Sequence, residues 1–140
     1  MKKIVVLLMF AACVCNGVEV TAKLLNAIKN VESSGNSSAV GDNGKAVGAY
    51  QIHKVYVDDV NNILKNRGLK TRFKYTDRFN DKKSRIMTCI YLLHYGKVYE
   101  RKTEKKANLE VLAKIHNGGP SGWKKQATVK YWHKVKKRLK

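Results

Sequence analysis

Ten acidic side chains stand among 29 Lys and Arg in this 140-residue chain, so each acid is a candidate for chemistry. Most have ordinary readings: Asp81 as a helix cap, and Glu100, Glu104 and Glu110 as solvated helix residues. Glu32 differs. It follows Val31 at the end of an apolar helical stripe and directly precedes a segment rich in Gly, Ser and Asn. The negative end of a helix dipole and partial burial both disfavour an ionised carboxylate there. A carboxyl group that keeps its proton near neutral pH is what acid-assisted cleavage of a glycosidic bond requires. The alternative is an ordinary helix-terminal Glu, and position alone does not decide between them. The four His (53, 94, 116 and 133) show no ligand spacing with Cys or acids, and no phosphate-cradling loop occurs. Neither a metal nor another cofactor is expected.

The elements that must hold these residues are mostly helical. Apolar residues at 24, 25, 27, 28 and 31 mark one helix face, with Thr21 as a candidate N-cap and Ser33-Ser34-Gly35-Asn36 as its stop. Asn36 to Ile52 reads as a loop or small hairpin around the turn Asp42-Asn43-Gly44. Val57, Val60, Ile63 and Leu64 predict a second helix closed by Gly68, and Leu69 to Asn80 is irregular. Asp81 is expected to cap a helix through Ile86, Cys89, Ile90 and Leu93 that ends near Gly96. Leu109, Leu112 and His116 mark a short helix, and Pro120 opens a last one carrying Trp123, Ala127, Tyr131 and Val135. The expectation is one mainly α domain of about five helices with a small β excursion, covering residues 18–140.

The chain opens with a basic Met1-Lys2-Lys3 and an apolar run from Ile4 to Cys15, with a candidate cleavage point after Gly17. These are the parts of a secretory signal peptide, and the run is shorter than the roughly 20 residues of a membrane-spanning helix. A buried N-terminal helix and a lipoprotein signal attached through Cys13 are the alternatives. Cleavage after Gly17 leaves Cys89 as the only cysteine, a core residue without an intramolecular partner. The formal charge of +19 becomes about +17. A charge this high points to polyanionic surroundings, and export to the cell envelope turns that toward the wall rather than nucleic acid. The length excludes a multi-domain machine, and the cysteine count excludes a disulfide-dense scaffold.

Leu25 to Asn36, with Glu32-Ser33 at its heart, resembles the catalytic-Glu segment of soluble lytic transglycosylases and goose-type lysozymes. Ala39 to Ile52, ending Gly48-Ala49-Tyr50-Gln51-Ile52, is similar to that family's Gly-Leu-Met-Gln-Ile motif, with Ala49-Tyr50 in place of Leu-Met. Ile115-His116-Asn117-Gly118-Gly119-Pro120 looks like its Tyr-Asn-Ala-Gly motif, with His116 in the Tyr position. The blocks come in the family's order, between Thr21 and Tyr131. Asp58 to Tyr95 carries no family motif.

The resemblance implies a lysozyme-like α+β fold and a monomer that cuts peptidoglycan glycan strands at the β-1,4 bond between N-acetylmuramic acid and N-acetylglucosamine. It makes Glu32 the acid, Ser33 its support, and Gly48, Tyr50, Gln51, His116 and Asn117 cleft residues; Tyr50 is equally open to a core role. A lytic transglycosylase works with one carboxylate, closing the muramyl 6-hydroxyl onto C1, whereas a hydrolase usually employs a second. Candidates for the second are Asp42, Asp58 and Asp59, each with an ordinary reading as a turn or early-helix acid. Since those ordinary readings leave one carboxylate for the chemistry, the expectation leans to the transglycosylase, with the hydrolytic lysozyme as alternative. A basic non-catalytic module is the third reading, since Val98 to Lys140 interleaves Lys and Arg with Trp123, Tyr131 and Trp132.

Overall fold

The computed structural model describes residues 12–15 and 17–140. Of the expected signal segment, residues 1–11 and 16 lie outside the described residues. Strand β1 (Ala12–Cys15) pairs antiparallel with β2 (Val18–Thr21), Cys15 opposite Val18, so the candidate cleavage point at Gly17 falls in the turn between two strands. Along β2 the side chains alternate: Val18 and Val20 are fully buried and Glu19 is exposed.

Helix α1 (Ala22–Ser33) starts as its sequence dictates, with the Thr21 hydroxyl accepting the Leu24 N–H at 3.0 Å. Leu24, Leu25, Ala27 and Ile28 face the core. Ser34 turns left-handed at φ 53° and returns its N–H to the Asn30 carbonyl, which leaves Glu32 in the last turn. The Gly/Asn segment forms a two-residue hairpin, β3 (Val40–Gly41) against β4 (Ala46–Val47). The Asp42–Gly44 turn joins its strands, with Asp42 and Asn43 at φ 48° and 53°.

Helices α2 (Lys54–Asn66), α3 (Asp81–Thr103), α4 (Leu109–Gly118) and α5 (Val129–Arg138) complete the fold. The long α3 is the centre, packed by α1, α2, α4 and both N-terminal strands. Among the described residues, five α-helices and small β elements match the expected class, and no helix is long and apolar enough to cross a membrane.

Three expected boundaries are corrected. The cap of α3 is Asn80, whose side chain accepts the Lys83 N–H, while Asp81 is the first helical residue. The helix does not end near Gly96. A Cβ there would lie 2.8 Å from Val18 and 2.9 Å from Leu112, so this glycine lets β2 and α4 close onto a continuous helix. The segment after Pro120 forms two 3-10 turns, Gly122–Lys124 and Gln126–Thr128, before α5 begins at Val129. A Cβ at Gly122 would sit 2.0 Å from the Lys114 carbonyl oxygen, so close packing on α4 holds that stretch off a single helical path. Cys89 is buried in the core as expected, but it is disulfide-bonded.

Candidate active site

A cleft of about 590 Å³ opens where the end of α1, the hairpin, the start of α2 and the end of α4 meet. Glu32 reaches it from the last turn of α1, with its side chain 17% exposed. Across α4, His116 holds that carboxylate: its Nε2 lies 3.4 Å from Glu32 Oε1 and 3.1 Å from the Tyr50 carbonyl oxygen. A carbonyl only accepts, so Nε2 carries the hydrogen, and Nδ1 accepts from the Tyr56 hydroxyl at 3.2 Å. That chain of bonds fixes the imidazole tautomer and aims its N–H at both Tyr50 and Glu32. Tyr56 in turn stacks on Tyr91, with ring centroids 3.8 Å apart, and both line the cleft.

Two of the three candidate second carboxylates share this space. Asp42 lines the cleft from the hairpin turn, 55% exposed, with Oδ2 3.2 Å from His53 Nε2. Its φ of 48° places a non-glycine residue in the left-handed region, a strain of order 1 kcal/mol that clusters at functional sites. Asp59 also lines the cleft, engaged by the Tyr95 hydroxyl. Burial and this carboxylate push both Tyr95 and Tyr91 well above the ordinary phenol range. Asp58, one residue earlier on α2, points elsewhere and accepts from the exposed Tyr75 hydroxyl. Among the described residues, no Lys or Arg lines the cleft.

The remaining sequence-derived residues divide. Asn117 lines the cleft from the end of α4. Gln51 does too, at φ 48°, but its amide nitrogen donates to the Ala39 and Gly48 carbonyls, so it clamps the hairpin and leaves only its oxygen to accept from a ligand. The Ser33 hydroxyl donates to the Ala49 carbonyl at 2.8 Å and fastens α1 to the hairpin instead of contacting Glu32. Tyr50 is not a cleft residue: it is fully buried, its hydroxyl bonded by Arg85. Gly48 serves close packing of another kind than a ligand's approach. Its φ is 81°, and a Cβ would fall 1.9 Å from the Arg78 carbonyl oxygen.

Sequence reasoning missed three contributors. Arg78 is buried and donates to the Tyr75, Ile52 and Lys45 carbonyls, tying the Tyr75–Phe79 segment to the hairpin; burial lowers its basicity. Tyr56 supplies the second bond to His116. Tyr131, read as one apolar step of the last helix, packs its ring 6.5 Å from that of His116. Its buried hydroxyl faces Glu32 without closing a well-formed hydrogen bond, and burial, the Glu32 charge and the approach of the hydroxyl to that carboxylate push it well above the ordinary phenol range. A tyrosine on a buried stripe needs a use for its hydroxyl, and that was the available signal.

Comparison with known proteins gives consistent matches. The chain is 30% identical to invertebrate-type lysozyme 6 of Caenorhabditis elegans over 89 residues, which are 64% of each protein. It is 32% identical to invertebrate-type lysozyme 3 of the same organism over 64% of this chain and 63% of that one. The match thus spans just under two thirds of the length of these relatives. The crystal structure of Tapes japonica lysozyme superposes with a TM-score of 0.66 at 25% identity, covering 84% of this chain and 89% of that one. A chain in the crystal structure of Aeromonas hydrophila PliI in complex with Meretrix lusoria lysozyme gives the same score and coverage at 26% identity. The motif resemblance therefore led to the lysozyme-like fold, while the matching family model is a different one from the transglycosylases it named. That model, Destabilase, covers residues 21–138, and the chain belongs to this family.

Proposed function

We propose that this protein cleaves the β-1,4 bond between N-acetylmuramic acid and N-acetylglucosamine in peptidoglycan, with Glu32 as general acid. The observation that carries this reading is the Glu32 carboxyl on the cleft wall, mostly buried and anchored by His116. A sugar laid in the cleft would bring its bridging oxygen to a carboxyl from which most water is excluded, where one positioned proton donor is most effective. Proton transfer to that oxygen breaks the bond to C1 and leaves cationic character on the muramyl ring. Asp42 is the group best placed to answer that charge or to activate water, since it shares the cleft and, among the described residues, its carboxylate pairs with the half-exposed His53 alone. Asp59 is engaged by Tyr95 and is the weaker candidate.

This favours hydrolysis over the closure by the muramyl 6-hydroxyl that a site with one carboxylate would perform. The lysozyme names of the relatives support the same choice. Glu32→Gln is expected to abolish wall clearing with the fold intact, and Asp42→Asn to lower it by about 100-fold or more, a loss within the range of single catalytic groups. Mass analysis of digested peptidoglycan separates the routes: reducing ends mean hydrolysis, and 1,6-anhydro ends would return the reaction to the transglycosylase class. Unchanged clearing by Glu32→Gln would remove Glu32 from its role.

We place the site of action outside the cytoplasm, in the envelope or the medium, on the basic and apolar start of the chain. The disulfide at Cys89 supports an oxidising compartment. N-terminal sequencing of the exported protein, with a count of free thiols, tells whether cleavage follows Gly17 or spares a cysteine for that bridge.

A further inference from the structure

We infer that the outer face of α5, with the Lys124–Lys125 turn before it, docks an anionic polyphosphodiester polymer of the cell wall lying beside the glycan in the cleft. The glycan's place rests on the proposed function; the docking surface stands on the charge distribution. Residues 111–140 hold nine Lys and Arg and no Asp or Glu. Helix α5 turns Tyr131 and Val135 into the core, so Lys130, Lys134 and Lys137, at steps of four and three, lie along its exposed side. They span about 10 Å of helix. Among the described residues, no ion pair involves a Lys or Arg beyond Lys114.

Like charges four apart on a helix repel, and among the described residues no acid pairs with them. The cleft is the reverse: Asp42 and Asp59 line it, and among the described residues no Lys or Arg does. An anionic polymer is therefore repelled from the cleft and drawn to α5. The two surfaces adjoin. Lys125 Nζ donates to the Gly118 carbonyl at 2.7 Å, and the next two residues, Gly119 and Pro120, form the cleft wall. A wall that carries phosphodiester chains on its glycan presents both ligands side by side, whereas a nucleic acid would use α5 and leave the cleft unexplained.

The test compares the full-length protein with a Lys130→Glu/Lys134→Glu/Lys137→Glu variant and its Gln counterpart. Co-sedimentation with insoluble walls is measured before and after acid extraction of their phosphodiester polymers, at stepped salt, with duplex DNA as a competitor. Turnover of a soluble oligomer of alternating N-acetylglucosamine and N-acetylmuramic acid and thermal melting report the site and the fold. The wild type is expected to bind intact walls at least about 10-fold better than extracted ones, with affinity falling steeply between about 50 and 200 mM salt as counterions return. The Glu variant is expected to lose that difference, the Gln variant most of it, and both to keep oligomer turnover within about two-fold of wild type. Equal binding to extracted walls, or wild-type binding by the Glu variant, would overturn the proposal. So would duplex DNA displacing the walls at physiological salt. Loss of oligomer turnover in the wild type would count against the proposed function and leave the sedimentation result to judge the surface.

Discussion

Removing the Tyr131 hydroxyl is expected to make the protein more stable and a poorer enzyme. In Tyr131→Phe the ring keeps its packing against His116 and its place on the buried side of α5, so no cavity opens. What disappears is a buried hydroxyl that approaches Glu32 without closing a well-formed hydrogen bond to it. Such a group costs about 1–3 kcal/mol of desolvation. Taking the lower end, since the neighbouring Glu32 carboxyl is itself partly wet, gives a gain of about 1 kcal/mol, or roughly 4 °C in Tm for a domain of this size. Activity should move the other way. When Glu32 gives its proton to the glycosidic oxygen it becomes an anion, and the hydroxyl facing it is then a donor with an acceptor. A hydrogen bond to a charged group contributes about 1.5–3 kcal/mol, so kcat should fall by about 10-fold or more. KM should change little, because the bond forms only as charge develops. Thermal melts and steady-state cleavage of a soluble oligomer of alternating N-acetylglucosamine and N-acetylmuramic acid measure both quantities on one preparation. A variant that is less stable would mean that the hydroxyl already has a partner; an unchanged kcat would mean that it does not serve Glu32.

Gly48→Ala should destabilise by about 3 kcal/mol or more, read as a shifted urea midpoint, because a left-handed residue and a clash with fixed backbone add together. Cleft activity should fall in parallel, since the hairpin carrying Asp42 must move. High pH should unfold the protein. Tyr56, Tyr91, Tyr95 and Tyr131 all titrate above an ordinary phenol, so above about pH 10 the unfolded chain releases phenolic protons that the fold retains, and stability falls as pH rises. Urea midpoints at pH 8 and 11 check this, and a Tyr95→Phe variant should lose part of the decline; a flat profile would contradict it.

The local chemistry was readable from single stretches of sequence. Thr21 before an apolar stripe predicted the start of α1, Ser34 and Gly35 its stop, and hence a carboxylate in the last turn, because capping and periodicity act within four residues. Asp42-Asn43-Gly44 announced a tight turn for the same reason. Asn117 beside a glycine pair likewise marked the end of α4. These signals need no knowledge of what lies across the molecule.

Relations across the molecule were decided by packing. Asp58 and Asp59 are neighbours in sequence and indistinguishable by type, yet a 100° step around α2 sends one to Tyr75 and the other to the cleft. Tyr50 and Gly48 stand in motif positions that suggested sugar contact, but the Arg78 segment and Arg85 close over them. Gly96 looked like a stop until β2 and α4 were found to need its missing side chain. The partner of Glu32 lies 84 residues away, His116, and the ring and hydroxyl of Tyr131 come from another helix again. Residue type and local spacing determine which groups can carry protons. Which of them face one another, and with how little water, depends on side chains that meet only when five helices share a core.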